Sequence, residues 1–444
     1  MNLHRVLLLL CSAGLSMAAT AGCGHSTSLS TYSSASAPDK QCEQLQEWLS
    51  AAGPEYPILN AVMADPEPHR LQIIYTRIDR DRHNNPELRE YHYGLDNNRY
   101  FYPASTVKLP ISLLALEWLA EQDVEGLTSA TTMLTDAAAP AQTSAYRDPT
   151  AESGTPSIGH YIKKILLVSD NDASNRLYEL LGQDYINQKL ANKGLRHTLI
   201  NHRLSTAMTE EENRQYNPIR FIDAAGETIL SLPARHSDTR YINTSHPKLG
   251  KAYIAAGERI PTPMDFTTKN RLSLGDLDGV MKRLIFPQLF AQSERFALRE
   301  EDRALLLRYM SMLPPDSSEP AYSAKEYPHN YSKFLMFGGE PRQIPEHIKI
   351  FNKTGWAYGH VIDSAYIVDL KNRVEFFLSA VIYANKNDTL NDDDYQIDEV
   401  AKPFLRELGG LIYQQELKRA RPNAPDLTAL EKVTAPATVP AMQH

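Results

Sequence analysis

From Leu109 the chain reads LPISLLALEWL, which wound as a helix is apolar on nearly every face. Such a helix has no solvent side, so the fold must be built around it. Pro110 is compatible with a helix only in the first turn, which puts the start close to Ser105. The stretch YPASTVKLP, Tyr102 to Pro110, therefore carries Ser105 and Lys108 at the mouth of a buried helix. Residues three apart share a helix face, so the Lys108 amine can reach the Ser105 hydroxyl. A Ser-x-x-Lys arises by chance about once or twice in a chain this long. A second one, SHPK at Ser245 to Lys248, has a proline inside it and no buried helix after it.

The surroundings of that helix set the fold class. Two strands precede it, RLQIIYTRID (Arg70 to Asp79) and LREYHYGL, joined by the turn DRHNNPE. An opening helix, Gln44 to Ala52, comes earlier still. After it, Ile158 to Gly182 holds helical spacing with a break at Ser169–Asn171. LSLGDLDGVMKRLIF and LREEDRALLLRYMSML read as two further amphipathic helices. Between the helical blocks, residues 213–267 read as an insertion with a hairpin near ETILSLPARHSDTRYI. Three successive strands follow, HIKIFNKTG, VIDSAYIVDL and VEFFLSAVIYAN, and then a last helix, VAKPFLRELGGLIYQQELKR. The expected architecture is α+β. Two early and three late strands form a five-stranded antiparallel sheet with flanking helices. An all-helical lobe spans about residues 105–330, and the active site lies in the cleft between the two.

The ends have a different character. Residues 1–22 have a short basic start, an apolar stretch and small residues, the pattern of a secretory signal peptide. TAGC, Thr20 to Cys23, resembles a bacterial lipoprotein cleavage site, with Thr20 where a Leu is usual. This reading gives an exported protein, periplasmic or extracellular, anchored to a membrane through a lipid on Cys23. Residues 23–40 are Ser/Thr-rich and read as a tether, residues 41–419 as the folded domain, and 420–444 as a disordered Pro/Ala/Thr-rich tail. Of the three cysteines only Cys42 lies beyond Cys23, so no intramolecular disulfide forms in the mature chain. The net charge of −8 without basic clusters argues against nucleic acid. No metal spacing and no cofactor motif is present; the acidic run Asn391 to Glu399 suits the start of the last helix better than a calcium loop.

Three short motifs stand in order: STVK (Ser105–Lys108), SDN (Ser169–Asn171) and KTG (Lys353–Gly355). Serine is a poor nucleophile until a base takes its proton, and a lysine serves when burial and nearby cations lower its pKa. Ser169, on a tight turn, can pass a proton to a leaving nitrogen. The Asn171 amide can hold a substrate amide, and Lys353 at a strand end can fix a substrate carboxylate. Gly355 lets a ligand approach the strand closely. Asp170 reads as a residue holding the turn through backbone bonds.

With these motifs the chain resembles the class A β-lactamase and penicillin-binding-protein superfamily of serine acyl transferases. KTGWAYGHVIDSAYIV and the strand order add to the likeness, which covers most of Gln44 to Arg419. The resemblance implies Ser105 as acylated nucleophile, Lys108 as base, Ser169 as proton shuttle and Asn171 as substrate ligand. It implies Lys353 and Thr354 as carboxylate ligands, and the backbone N–H groups of Ser105 and Trp356 as oxyanion hole. It also implies a small-molecule β-lactam or peptidoglycan-type substrate. Class A enzymes place a Glu on a loop after the second motif to activate the deacylating water. The matching position here is Leu204, and the nearest acids are Glu210, Glu211 and Glu212, which read as a substitute or as a solvated helix start. Trp356 and Tyr358 read equally as groove lining or packing, and His360 as structural. The function expected is an exported serine hydrolase acting on a β-lactam or related amide. The alternatives are a cell-wall D-Ala-D-Ala peptidase and a non-catalytic penicillin- or peptidoglycan-binding lipoprotein.

Overall fold

Five strands form one antiparallel sheet: β1 (Gln72–Arg80), β2 (Pro86–Tyr93), β3 (Ile348–Ala357), β4 (His360–Asp369) and β5 (Val374–Tyr383), in the order β3-β4-β5-β1-β2. The computed structural model describes residues 38–435. The expected signal peptide and Cys23 lie outside them. Pairing of β1 with β5, Tyr75 opposite Leu378, closes the early strands onto the late ones. β4 and β5 are buried at every position, because helices cover both faces of the sheet. The period of two sorts their side chains. Ile362, Tyr366, Val368, Phe377 and Val381 face one core, and Val361, Ala365, Ile367, Phe376 and Leu378 face the other.

The first core is shared with the lobe built on α3 (Lys108–Glu121), every residue of which is buried from Lys108 to Leu119. Around α3 pack α4 (Ile158–Val168) and α5 (Asn171–Asn192), the latter broken at Gly182, where φ is +75°. α6 (Leu274–Ile285) packs on the sheet, and α7 (Glu300–Ser311) against α4 and β3. The second core lies between the sheet and α1 (Pro38–Ser50), α2 (Pro57–Ala64) and α8 (Lys402–Lys418).

Four expectations change. The tether read through Lys40 gives way to helix at Pro38, a residue suited to a helix's first position. The lobe is not wholly helical: Thr132–Thr135, Ile219–Ile222 and Thr228–Leu232 form a three-stranded sheet. The hairpin expected from Glu227 onward lies earlier in the chain, turning at Asp223, whose carboxylate accepts from Ala225 N and Glu227 N. A second hairpin, Ala252–Ala255 with Glu258–Ile260, follows in the same segment. The tail expected to be disordered from Ala420 is ordered through residue 435. Leu427 is buried in the first core, and α9 (Thr428–Thr434) packs on α7. Composition misled there because a single buried leucine and a few backbone bonds, such as Asn423 Nδ2 to Arg80 O (2.9 Å), suffice to dock the segment.

Candidate active site

Ser105 sits in a tight 3₁₀ turn, Ala104–Val107, and α3 proper begins at Lys108. In such a turn residues three apart eclipse one another, so the spacing serves as well as in an α-helix. The turn is pinned by Thr106, whose N and Oγ1 both donate to Pro103 O at 3.1 and 2.6 Å. Ala104 just before the serine has φ of +48°, a left-handed conformation unusual for a residue with a side chain.

The second motif is a junction of two helices. Ser169 ends α4 in the left-handed region, φ +61°, with its N–H on Ile165 O (3.0 Å). Asp170 caps the next helix through Oδ1, accepting from Ala173 N at 2.8 Å. Asn171 is the first residue of α5. The order Ser-Asp-Asn thus lets one helix stop and another start while the Ser169 and Asn171 side chains face the cleft.

The third motif lies on β3, the edge strand. Its Gly355 has a reason visible in the geometry: a Cβ there would lie 2.9 Å from Pro103 O and Thr106 N and 3.0 Å from Ser105 N. Only a glycine lets the strand approach the serine turn this closely. Trp356 follows it, paired across to Val361 of β4.

These elements bring Ser105, Ser169, Asn171, Thr354, Gly355 and Trp356 to one cavity of about 460 Å³, with Lys108 and Lys353 beneath it. Lys353 Nζ donates to Ser169 Oγ at 2.9 Å and to Thr354 O at 2.8 Å. Lys108 Nζ donates to the same hydroxyl at 3.1 Å, to Asn171 Oδ1 at 2.7 Å and to Ser169 O. Lys108 therefore turns toward the second motif, and among the described residues Ser105 Oγ has no hydrogen-bond partner. Burial, and then the neighbouring Lys353 charge, hold the Lys108 amine well below the usual lysine range against an opposing pull from Asp170. Lys353 is pushed down to about 7, chiefly by burial and further by Lys333, with Asp363 opposing.

Lys333 and Asp363 carry no sequence motif. Lys333 Nζ donates to Asn352 Oδ1 (2.7 Å) and Ile350 O (2.9 Å), and Asn352 Nδ2 donates to Asp363 Oδ1 (2.8 Å). Asp363 Oδ2 accepts from Phe334 N and Leu335 N at 3.1 and 3.0 Å. This fully buried group lies behind the third motif.

The loop after Arg203 reaches the cavity through Leu204 and Ser205. Leu204 is fixed by a reciprocal pair of bonds with Asn175, at 2.8 and 2.9 Å, and Asn171 Nδ2 donates to Ser205 Oγ at 2.9 Å. The three glutamates are engaged elsewhere. Glu212 closes a capping box with Thr209, Glu210 pairs with Arg240 at 2.7 Å, and Glu211 pairs with Arg214 and His236. No Asp or Glu is among the described residues lining the cavity. His360 is buried between Phe101 and Tyr383, its pKa lowered to about 3 by burial. Tyr358 packs edge-on against Tyr102 and Phe266. The acidic run before α8 is spent on local bonds such as Asn387 Nδ2 to Asp392 (2.7 Å) and Lys402 to Asp398 (2.6 Å), and no metal-ligating cluster occurs among the described residues. Pro328, Asn330, Tyr331 and Lys402 also line the cavity and carry no sequence motif; the one signal is the tyrosine density of residues 322–331.

Residues 60–230 match the β-lactamase enzyme family. The matched segment holds the first two motifs; Lys353 lies beyond it. No curated protein matches the chain. Among solved structures, the chain is similar to a β-lactamase from Desulfarculus baarsii DSM 2075, at 15% identity over 84% of this chain and 98% of that one, TM-score 0.44. It is similar to PBP-A at 16% identity over 86% and 97%, TM-score 0.46. It is also similar to a PBP-A variant in an acyl-enzyme complex with penicillin G, at 17% identity over 86% and 97%, TM-score 0.44.

Proposed function

We propose that the chain is an exported serine hydrolase that forms an acyl-enzyme through Ser105 on a β-lactam or a related amide. The observation that carries this reading is the meeting of Lys108 and Lys353 on the Ser169 hydroxyl, in the cleft that Ser105 lines. Two ammonium groups on one hydroxyl repel, so Lys108 gives up its proton easily. An ammonium has three donors and an amine two with a lone pair. In the neutral amine one of the three bonds Lys108 makes is released, and the lone pair accepts the Ser105 proton. The Ser105 oxygen then bonds to the substrate carbonyl carbon. The oxyanion is held by the N–H groups of Ser105 and Trp356. As the carbon–nitrogen bond breaks, Ser169 hands a proton to the departing nitrogen and is resupplied from the lysines. Asn171 holds the acyl-side amide; Lys353 and Thr354 hold the carboxylate.

Water must later cleave the ester, releasing the acid and restoring Ser105. The absence of a carboxylate among the described cavity-lining residues favours a long-lived acyl-enzyme, and with it the peptidase or penicillin-sensing variants of this reading. Labelling with a fluorescent penicillin tests the proposal. The parent is expected to take up label that survives denaturation, and Ser105→Ala none. A parent that never labels would sink the penicillin-recognising reading. The export reading rests on residues 1–22 and Cys23, and no helix among the described residues is long and apolar enough to cross a membrane. Mass spectrometry of the membrane fraction is expected to find a lipid on Cys23; an unmodified chain in the soluble fraction, with parent and Cys23→Ser alike, would refute anchoring.

A further inference from the structure

Two large aromatic side chains stand in the open at the mouth of the cleft. Trp356 is 56% exposed and Tyr331 40%, and both line the cavity that Ser105 lines. Rings left in water forgo the burial that drives folding, so their exposure here calls for a reason. Neither is loosely held. Tyr331 meets Tyr327 edge-on at 4.9 Å, and Tyr327 meets Tyr322 at 5.1 Å. Trp356 is fixed on β3, with Lys402 Nζ 6.0 Å from its ring centre and that same Nζ 5.7 Å from the Phe334 ring. Lys402 is itself anchored by Asp398 at 2.6 Å.

Their position identifies the half of the substrate they would meet. The helical lobe presents Asn171 and Ser205 to the acyl side of the scissile bond. Thr354 lines the strand side of the cavity with Lys353 beneath it, the pair proposed above to hold a carboxylate, and in β-lactams and peptides that carboxylate sits on the nitrogen side. Trp356 follows Thr354 two residues on along the same strand, Lys402 lies against its ring, and Tyr331 lines the same cavity.

We infer that Trp356 and Tyr331, with Lys402 against the Trp356 ring, form a leaving-group subsite that takes an aromatic substituent next to the substrate carboxylate. This rests on the acyl-transfer reading of Ser105. In the step concerned, Ser105 Oγ bonds to the carbonyl carbon, the carbon–nitrogen bond breaks, and the hydroxyl proton ends on the nitrogen. The nitrogen half, bearing carboxylate and aryl group, stays tethered in a β-lactam and departs as an amine from an open-chain amide. The rings hold that half in either case.

The test uses the full chain and two cephalosporins with the same C7 side chain, one with phenyl and one with methyl at C3. Acylation constants are read by competition with fluorescent penicillin. The parent is expected to favour the C3-phenyl compound. Tyr331→Ala and Trp356→Ala are each expected to cut that preference about tenfold. Trp356→Phe keeps an aromatic face and is expected to retain most of it. Tyr146→Ala, which removes an exposed ring outside the cavity, is expected to leave the preference as in the parent. The inference is overturned if the parent shows no preference, or if the preference persists in both alanine variants. It is also overturned if neither cephalosporin reacts while penicillin labels. A parent that takes no penicillin at all overturns the acyl-transfer reading instead.

Discussion

Lys108 and Lys353 both donate to the hydroxyl of Ser169, so in the proposed acyl transfer their charges would decide when the site works. In the proposed mechanism Lys108 can act as a base only when neutral. Its pKa is lowered by burial and by Lys353, so losing Lys353 lets it keep its proton to higher pH. Lys353→Met is therefore expected to move the rising limb of the pH–acylation profile toward alkaline pH. A substrate lacking the carboxylate separates this effect from lost binding; an unmoved limb would contradict the coupling. Under the same proposal Lys353 has the opposite requirement, since it would have to be charged to hold a carboxylate. With its pKa pushed down to about 7, affinity for carboxylate-bearing ligands is expected to weaken as pH rises above that value. The corresponding methyl ester is expected to show no such dependence. A carboxylate ligand whose affinity is flat from pH 6 to 9, a window about one to two units either side of that value, would contradict a neutral Lys353.

At the scale of elements, the site is a set of abutting ends. A 3₁₀ turn, a helix-to-helix junction and an edge strand each bring one motif, and none could do so alone. Gly355 shows how tight the fit is, because a methyl group there would collide with the backbone of the serine turn. The loop after Arg203 brings Leu204 and Ser205 to the cavity. Its leucine lines the cavity where a water-activating carboxylate would be useful. Leu204→Glu is expected to speed release of the penicilloyl group by about 10²-fold or more, the usual worth of a general base. Label decay in stopped-time gels measures it. Decay at the parent's rate in a variant that still labels would show that the loop does not reach the ester.

At the largest scale, two of the cores among the described residues share the five-stranded sheet, and residues 420–435 close the first of them. Leu427 is 1% exposed, and Arg373 and Asn84 hold the backbone around it. Leu427→Ala is expected to cost about 2–3 kcal/mol, as for other buried leucines. Thermal denaturation of the two proteins checks this; an unchanged midpoint would mean the segment contributes nothing. The second core joins the start of the folded chain to α8, so that Glu407 accepts from Ile58 N and Leu59 N at 2.9 and 2.8 Å. The lobes are thus not independent, and the cleft between them is held from both sides.

The sequence by itself determined the pieces. Periodicity marked the five strands and the buried helix, because apolar spacing is a local property that burial imposes on each segment. The three motifs were legible because each spans four residues or fewer, a range over which the local backbone, helical or extended, sets side-chain direction. Tertiary structure alone decided the partners. The bond from Lys353 to Ser169 joins residues 184 apart, and no local pattern encodes a contact of that range. The same holds for Lys333 behind Asp363, for the docked Leu427, and for Tyr331 in the same cavity as Asn171. Lys108 shows the division within one residue. Its place three residues after Ser105 is read from the chain, while its turn toward Ser169 and Asn171 follows from where α4 ends and α5 begins. A buried ammonium needs acceptors for its three donors, and only the packed helices supply them.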